Sequence, residues 1–293
     1  MTVIDINAFN IIFEQIANDG KFEGEQLETL RRLGKTRKAV LLAFPPKAAG
    51  TFFRNAVVDA VGGQIVRVVR AQGGRDATPY LPTFIAYYSG ALTERTLVGH
   101  VHMLALPANR HFLEALDIRP IVMKRSIPDM LASYWDMLDS DESACREGLN
   151  CCIPENFVEF SDDAKADFLV DILGPWYANY YSSWLSYAET DPDRVCVLDY
   201  RDFNDDAAGT LQQALEHVGL PRSREQCQSV ITHNWNNRHQ SRFNKGEEGR
   251  GGRYFKAPHM HRLTRMLGHY SNLAPHIERL LDTGLEWRAT GGN

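Results

Sequence analysis

The sequence predicts an α/β protein with one central parallel sheet flanked by helices. Short runs of apolar residues alternate with longer stretches in which apolar residues recur at helical spacing. The apolar runs contain few polar positions, which is typical of parallel strands covered on both faces. A chain of 293 residues with 44% hydrophobic residues is long enough to bury a sizeable core around such a sheet.

Five apolar runs are the predicted strands of this sheet. In chain order they are residues 39–44 ("AVLLAF"), 64–70, 95–103, 119–125 and 194–200. The predicted helices between and after them run from about 51 to 61, near 107–116, through "DMLASYWDML" and through "AGTLQQALEHV". Because strands and helices alternate, neighbouring strands are expected to be parallel.

Glycine and proline set two of the expected boundaries. The helix after the first strand is predicted to end at Gly62-Gly63, and the helical stretch 163–190 is predicted to break at Gly174-Pro175. We divide the chain into an N-terminal helical extension, residues 1–38, and a single α/β domain, residues 39–293. A helical insertion is expected at about 140–190 of that domain.

Composition excludes several classes of protein. A formal net charge of −5 argues against a nucleic-acid partner, which would require a basic stripe. There is no run of 18 apolar residues and no signal-peptide pattern, so we expect no membrane span and a cytoplasmic location. The 5 cysteines lack metal-like CxxC pairs, which favours reduced thiols, although adjacent Cys151 and Cys152 leave a redox-active pair as an alternative.

A turn between the first strand and its helix is the first candidate site. The sequence "FPPKAAGTFF" places a turn with Lys47 directly before a helix, as in loops whose backbone N–H groups bind phosphate. The Walker order is absent, because Lys47 precedes Gly50 and Thr51 instead of standing between a glycine and a Ser or Thr. The stretch therefore either binds no nucleotide, or belongs to a P-loop-containing nucleotide-binding fold whose ligand is not handled as ATP is.

The fourth strand leads into a second candidate site, "KRSIPDMLASYW". Ser126 is predicted to cap the following helix, with Asp129 completing a capping box and Pro128 in the first turn. Arg125 at the strand end and Ser133 on the helix are placed to hold one anion between a guanidinium fork and a hydroxyl.

In this order, these blocks resemble the sulfotransferases that use 3′-phosphoadenosine 5′-phosphosulfate (PAPS). Two further blocks extend the resemblance over roughly residues 39–252, "VLDYRDF" at 197–203 and "FNKGEEGRGG" at 243–252. The resemblance implies PAPS as the sulfuryl donor and a set of residues that bind it. These are Lys47, Ala48, Ala49, Gly50, Thr51 and Phe52 at the phosphosulfate, Arg125, Ser133, Lys245 and Gly246 at the 3′-phosphate, and Tyr200 near the nucleotide.

The sequence also departs from the family pattern at several positions. Ala48 and Ala49 replace small polar or glycine residues, Phe52 or Phe53 stands where an aromatic residue often stacks, and Asn244 stands where an arginine is frequent. With this asparagine, the loop at 243–252 is expected to bind the 3′-phosphate less firmly.

Sulfuryl transfer requires a stabiliser for the leaving phosphate and a base for the acceptor hydroxyl. Lys47 and the turn amides suit the first task, because charge develops on the leaving group in the transition state. No metal ion is needed for that task. The resemblance favours His100 of "GHVHM" as the base, with His102 as the alternative, and histidine suits this role because its ordinary pKa is near operating pH.

The acceptor cannot be identified from these residues beyond a hydroxyl of a small molecule, a lipid or a carbohydrate. Aromatic residues are dense at 78–88, where Tyr80, Phe84, Tyr87 and Tyr88 border either the core or an acceptor cleft, and again at 174–184. Two other functions stay open: a degenerate P-loop kinase or phosphotransferase, and a catalytically silent nucleotide-binding protein.

Overall fold

The computed structural model describes residues 23–69, 78–140, 147–148, 151–237 and 247–282. Its strands are β1 (Ala39–Leu42), β2 (Gln64–Ile65), β3 (Leu97–His100), β4 (Ile121–Lys124), β5 (Glu147–Gly148), β6 (Cys151–Cys152) and β7 (Cys196–Asp199). Strands β5 and β6 form a separate antiparallel pair. The other five described strands form one sheet in the order β2-β3-β1-β4-β7, in which every neighbouring pair is parallel.

Twelve α-helices lie within the described ranges. They are α1 (Gly24–Gly34), α2 (Gly50–Val61), α3 (Leu81–Tyr88), α4 (Pro107–Ala115), α5 (Ile127–Ser140), α6 (Asp162–Phe168), α7 (Gly174–Thr190), α8 (Tyr200–Asp205), α9 (Ala207–His217), α10 (Arg224–Asn236), α11 (Ala257–Leu267) and α12 (Ile277–Leu280). The α/β class and the parallel sheet predicted from the sequence are therefore confirmed.

The central strand, β1, sets the position of the site. Its residues are buried, and its last residue, Leu42, pairs with His100 of β3 on one side and with Ile121 of β4 on the other. From β1 the chain first forms β2 and β3 on one side of that strand, and then β4 and β7 on the other side. In open α/β sheets a ligand binds beyond the carboxyl ends of the strands at such a switch point.

Strand β2 is shorter than predicted, because the backbone leaves the ladder before Val68 and Val69 enter the core. Only Gln64 and Ile65 belong to the strand. Farther along, Val68 and Val69 are buried, but the carbonyl of Val68 accepts from the N–H of Tyr80 instead of from a strand neighbour. Apolar residues therefore marked the core correctly and overestimated the length of the strand.

The predicted end of α2 is confirmed, and the predicted break at Gly174-Pro175 is wrong. Gly62 ends α2 with φ 60°, the left-handed conformation that glycine adopts without strain. At Gly174 the helical path continues, because a π-helical turn over Leu169–Leu173 joins α6 to α7. Pro175 lies in the first turn of α7, where its missing N–H has little effect.

Most aromatic residues of the stretch 78–88 form part of the core, and Tyr80 is 38% exposed. Phe84, Tyr87 and Tyr88 of α3 are buried. The Tyr87 hydroxyl donates to the carbonyl of Lys38, 2.5 Å away, which directly precedes β1. Lys38 lies at the amino end of β1, so Tyr87 is held at the amino ends of the strands, whereas the candidate site lies at their carboxyl ends. The acceptor-cleft interpretation is therefore wrong for this residue.

Helix α1 packs on the rest of the described chain. Leu30 is fully buried, and a Cβ added to Gly34 would lie 2.2 Å from the carbonyl oxygen of Leu116 at the end of α4. The domain division at residue 38 stays a prediction. Cys196 and Cys227 are buried free thiols, and the redox alternative for the Cys151-Cys152 pair also stays a prediction.

Candidate functional site

Residues predicted from separate blocks of sequence meet at the carboxyl edge of the sheet. Lys47 lies in the turn after β1, His100 is the last residue of β3, Arg125 directly follows β4, and Tyr200 directly follows β7. The parallel sheet brings these four positions to the same edge, although up to 153 residues separate them in the sequence (200 minus 47).

The turn between β1 and α2 has the backbone of an anion-binding loop. Lys47 and Ala49 have φ of 65° and 58°, which is the left-handed region, and α2 begins at Gly50. Left-handed residues close together in a turn direct their neighbouring N–H groups inward, and a helix N-terminus adds positive potential. A side chain in this region costs about 1–2 kcal/mol per residue, so the surrounding structure must hold the turn in place.

Tyrosines of α7 supply part of that support. The Tyr177 hydroxyl donates to the carbonyl of Pro46, 3.2 Å away, and the Tyr180 hydroxyl donates to the carbonyl of Ala43. Both tyrosines are fully buried, and burial raises the pKa of Tyr180 well above its ordinary value. The hydroxyl of Tyr180 therefore stays protonated and remains a donor to the backbone that leads into the turn.

The same helix supports two other segments of the site. The Tyr181 hydroxyl lies 2.8 Å from both the N and the carbonyl O of Arg125, so it accepts from the first and donates to the second. The Trp184 indole donates to the carbonyl of Met103, 2.8 Å away, just beyond the histidines. These supporting residues were not identified from sequence, although the aromatic density at 174–184 was the available signal.

Arg125 contacts both the turn after β1 and the described start of the late block. Its guanidinium donates to the carbonyl of Lys47 through Nη1 at 2.5 Å and to the carbonyl of Glu247 through Nη2 at 3.2 Å. It also lies 4.0 Å above the ring of Tyr200, which is buried. Tyr200 thus contacts Arg125 directly, as a flat surface on which the guanidinium stacks.

Helix α5 carries Ser133 and contacts the ammonium of Lys47. Ser133 is buried, and Met137 follows one helical turn later on the same face. The Nζ of Lys47 lies 3.3 Å from the sulfur of Met137, which is a weak acceptor. The lysine of the turn therefore points along the helix that also carries Ser133.

His100 lies against the start of α2. A Cβ added to Gly50 would lie 2.3 Å from Cε1 and 2.5 Å from Nε2 of the imidazole, so the ring packs directly on the Gly50 backbone. His102 packs edge-on against His100, with ring centroids 4.9 Å apart. Its Nδ1 lies 2.7 Å from the carbonyl of Phe44, and because a carbonyl only accepts, Nδ1 carries the hydrogen and Nε2 is left as an acceptor in the neutral ring.

Of the two phenylalanines in the first turn of α2, Phe52 is 1% exposed and packs between other aromatic rings. Phe203 lies 5.8 Å from it and Trp235 lies 6.0 Å from it, between ring centroids. Trp235, near the end of α10, is 45% exposed. Sequence reasoning missed Trp235, whose only signal was a tryptophan in an otherwise polar stretch.

The predicted residues Lys245 and Gly246 lie outside the described residues. The described part of the late block begins at Glu247, whose carbonyl accepts from Arg125. The assignment of Lys245 and Gly246 to the 3′-phosphate stays a prediction.

Only half of the predicted capping box forms at the start of α5. The N–H of Asp129 donates weakly to the hydroxyl of Ser126, 3.5 Å away, and that hydroxyl in turn donates to the carbonyl of Asp282. The Asp129 carboxylate accepts from the N–H groups of Gly249 at 2.9 Å and Gly251 at 2.8 Å. Distant backbone donors therefore replace the local partner.

No group of three His, Cys, Asp or Glu side chains in the described ranges is arranged to hold a metal ion. Every helix there is too short or too polar to cross a membrane.

A profile of the sulfotransferase domain matches residues 79–250. Among curated protein sequences, none matches this chain. A mouse sulfotransferase in complex with PAP is 12% identical and superposes with a TM-score of 0.59, covering 86% of this chain and 92% of its own.

Two crystal structures of retinol dehydratase are similar as well. One, in complex with androsterone and the inactive cofactor PAP, is 14% identical with a TM-score of 0.51 and covers 85% of each chain. The other, in complex with retinol and PAP, is also 14% identical with a TM-score of 0.51, covering 89% of this chain and 87% of that one. At these identities the likeness shows the fold. The profile match spans His100, Arg125, Ser133 and Tyr200 and covers more than half of the sequence, so the chain belongs to the sulfotransferase domain family.

Proposed function

We propose that this sulfotransferase transfers the sulfuryl group of PAPS to a hydroxyl acceptor by in-line transfer, with His100 as the base. One observation carries the proposal: His100 and Arg125 come from different strands, and both contact the turn that contains Lys47 and Gly50. A base, an anion-binding turn and a phosphate-binding guanidinium thus meet within a single site.

The residues of the site fit a nucleotide with phosphates at both ends. The left-handed turn and the start of α2 suit the 5′-phosphosulfate, with Lys47, Ala48, Ala49, Gly50, Thr51 and Phe52 around it. Arg125 is buried, and among the described residues its Nε has no hydrogen-bond partner, so a planar donor remains for the 3′-phosphate beside Ser133. The exposed indole of Trp235 beside Phe52 is a candidate surface for the adenine.

The chain's own groups account for the chemistry at the two ends of the transfer. PAPS supplies an activated sulfuryl group on a phosphate that leaves. Lys47 and the N–H groups of the turn stabilise the charge that develops on the leaving side, and they do so without reorganisation because the turn is already formed. His100 takes the proton of the acceptor hydroxyl on the opposite side, and His102 is the alternative base.

The acceptor is proposed to be a small molecule with a hydroxyl group, a lipid alcohol or a carbohydrate. Lipid alcohols are the first choice for a screen, because the retinol dehydratase structures contain androsterone and retinol. The absence of a nucleic-acid partner and the cytoplasmic location, both expected from the sequence, stay predictions.

A thermal-shift measurement tests the nucleotide. At 100 times its Kd, a ligand adds about 2.7 kcal/mol to the stability of the folded state, which is easily detected. We expect 3′,5′-adenosine bisphosphate to raise the melting temperature and ATP with Mg²⁺ to leave it unchanged. The reverse result would favour the phosphotransferase.

Turnover with labelled PAPS then separates an enzyme from a silent binding protein. The assay uses a panel of phenols, sugars and lipid alcohols, with His100→Asn as the matched control. The proposal is supported if the wild type transfers label to an acceptor and the His100→Asn variant does not. Binding of the bisphosphate with no transfer to any acceptor class contradicts it.

A further inference from the structure

A buried carboxylate of α5 holds the backbone of the described part of the late block, which spans residues 243–252. Asp129 is 1% exposed, and its two oxygens accept from the N–H groups of Gly249 and Gly251, which follow it by 120 and 122 residues. Hydrogen bonds between backbone N–H groups and a charged carboxylate are among the stronger ones in proteins. The sequence gives this aspartate no role at the site beyond capping its helix.

The segment 247–254 is attached to α5 by further contacts on either side of this carboxylate. A Cβ added to Gly251 would lie 2.3 Å from the Cβ of Pro128, so the backbone passes directly over the first turn of the helix. Farther along α5, Asp136 binds both the guanidinium of Arg250 and the hydroxyl of Tyr254. The segment is thus held along about two turns of the helix.

The same segment reaches Arg125. The carbonyl of Glu247 accepts from Nη2 of the guanidinium at 3.2 Å, two residues before the first N–H group that Asp129 holds. On the other side, Nη1 donates to the carbonyl of Lys47 at 2.5 Å. The plane of the guanidinium is therefore set by two carbonyls, and Asp129 anchors the segment that carries one of them.

We propose that Asp129 is a positioning residue for nucleotide binding, which fixes residues 247–251 against α5 and thereby orients the guanidinium of Arg125. The inference rests on the proposed function, because Arg125 is there assigned to the 3′-phosphate. It adds a residue that never contacts the nucleotide.

If Asp129 acted only through its charge, neutralising it would strengthen bisphosphate binding, whereas a positioning role predicts weaker binding. The direction of the change in affinity therefore tests the proposal. A carboxylate near Arg125 repels a phosphate, so its neutralisation by Asp129→Asn strengthens bisphosphate binding if charge is all that matters. If Asp129 acts by position, the same substitution weakens binding, because an asparagine has one acceptor oxygen and its NH₂ group opposes the second backbone N–H.

The experiment compares wild type, Asp129→Asn and Asp206→Asn for binding of 3′,5′-adenosine bisphosphate. Asp206 is a matched control, since it accepts from the N–H of Gly209 at 2.9 Å and pairs with Arg224, both outside the site. Calorimetry gives the affinity and stopped-flow displacement gives the release rate. We expect release from Asp129→Asn to be faster by about tenfold, the value of one hydrogen bond to a charged group.

Steady-state kinetics provides an independent readout. In Asp129→Asn, KM for PAPS is expected to rise, while KM for the acceptor and kcat stay close to those of wild type. Asp206→Asn is expected to bind and turn over as wild type does. Equal or tighter bisphosphate binding by Asp129→Asn overturns the inference while leaving the proposed function intact.

A second variant covers the case in which Asp129→Asn does not fold. Gly251→Ala keeps the carboxylate and pushes the segment away from Pro128, so it is expected to speed release in the same direction. Wild-type release rates from Gly251→Ala would contradict the proposal. Failure of the wild type itself to bind the bisphosphate would remove the proposed function and this inference together.

Discussion

The imidazole of His100 rests on the backbone of Gly50, at the first residue of α2. A Cβ on Gly50 would lie 2.3 Å from Cε1 of His100, a separation that real Cβ atoms do not have. The contact joins the last residue of β3 to the turn after β1, so it fixes the distance between the proposed base and the proposed phosphosulfate site. It also explains why glycine is required at this position, where φ is not left-handed.

Gly50→Ala is expected to destabilise the protein by about 1–3 kcal/mol, the usual cost of overpacking a filled site. In a His100→Ala background the same substitution is expected to be neutral or stabilising, because alanine is favoured over glycine in a helix. Urea denaturation of the four proteins in this cycle measures the coupling. Additive free energies would mean that the two residues do not touch.

Arg125→Ala is expected to weaken bisphosphate binding by about 1.5–3 kcal/mol, the range for hydrogen bonds to charged groups. Arg125→Lys keeps the charge but loses the planar fork and the stacking on Tyr200, so it should recover only part of the loss. Ser133→Ala removes a neutral donor and is expected to have a smaller effect. Calorimetry checks all three, and full affinity in Arg125→Lys would show that charge alone is sufficient.

His100→Asn is expected to lower the rate by about 10²- to 10⁴-fold, the contribution of a positioned general base, while nucleotide affinity stays nearly intact. Lys47→Ala should lower the rate and also weaken nucleotide binding, because it acts on the leaving phosphate. His102→Asn is the paired comparison, measured in the same PAPS assay. If His102→Asn loses turnover and His100→Asn keeps it, the base is His102.

Tyr181→Phe is expected to lower stability by about 1–3 kcal/mol, because it leaves the backbone of Arg125 without its buried partner. It should also weaken bisphosphate binding. Tyr187→Phe, on the same helix, removes a hydroxyl that donates to Glu114 at 3.0 Å, away from the site. This control should lose stability and keep its affinity, and equal affinities in the two variants would argue against a supporting role for Tyr181.

The pH dependence of stability tests the ion pair of Asp199 and Arg279. Burial raises the pKa of Asp199, but hydrogen bonds from Arg279 and from the N–H of Arg201 outweigh burial and hold it below the ordinary value. Because the folded-state pKa is lowered, the pair stabilises the protein above about pH 4 and the contribution is lost as the pH falls through the folded-state value.

Urea denaturation at pH 7, 4 and 3 measures this loss in wild type and in Asp199→Asn. The variant is expected to be less stable at pH 7 and to have a weaker pH dependence below about pH 4, since it has no carboxylate there to protonate. An unchanged slope in Asp199→Asn would assign the acid sensitivity to other carboxylates.

The sequence by itself determined the order of the five strands of the parallel sheet and the approximate ends of β1, β4 and β7. Those features depend on local periodicity and on local breakers such as Gly62, so Lys47, Arg125 and Tyr200 fall at or near predicted strand ends. The family resemblance depended on the same local blocks, and the sulfotransferase profile confirms it.

Only the tertiary structure decided which partners the buried polar groups take. Local spacing assigned Asp129 to its own helix cap, but its carboxylate binds backbone N–H groups 120 and 122 residues away. Likewise, the aromatic density of α7 indicates only apolar packing, and yet the hydroxyls of its Tyr180 and Tyr177 donate to the carbonyls of Ala43 and Pro46. A buried polar atom must be satisfied by whatever group the fold brings to it, and no periodicity within one segment specifies that group.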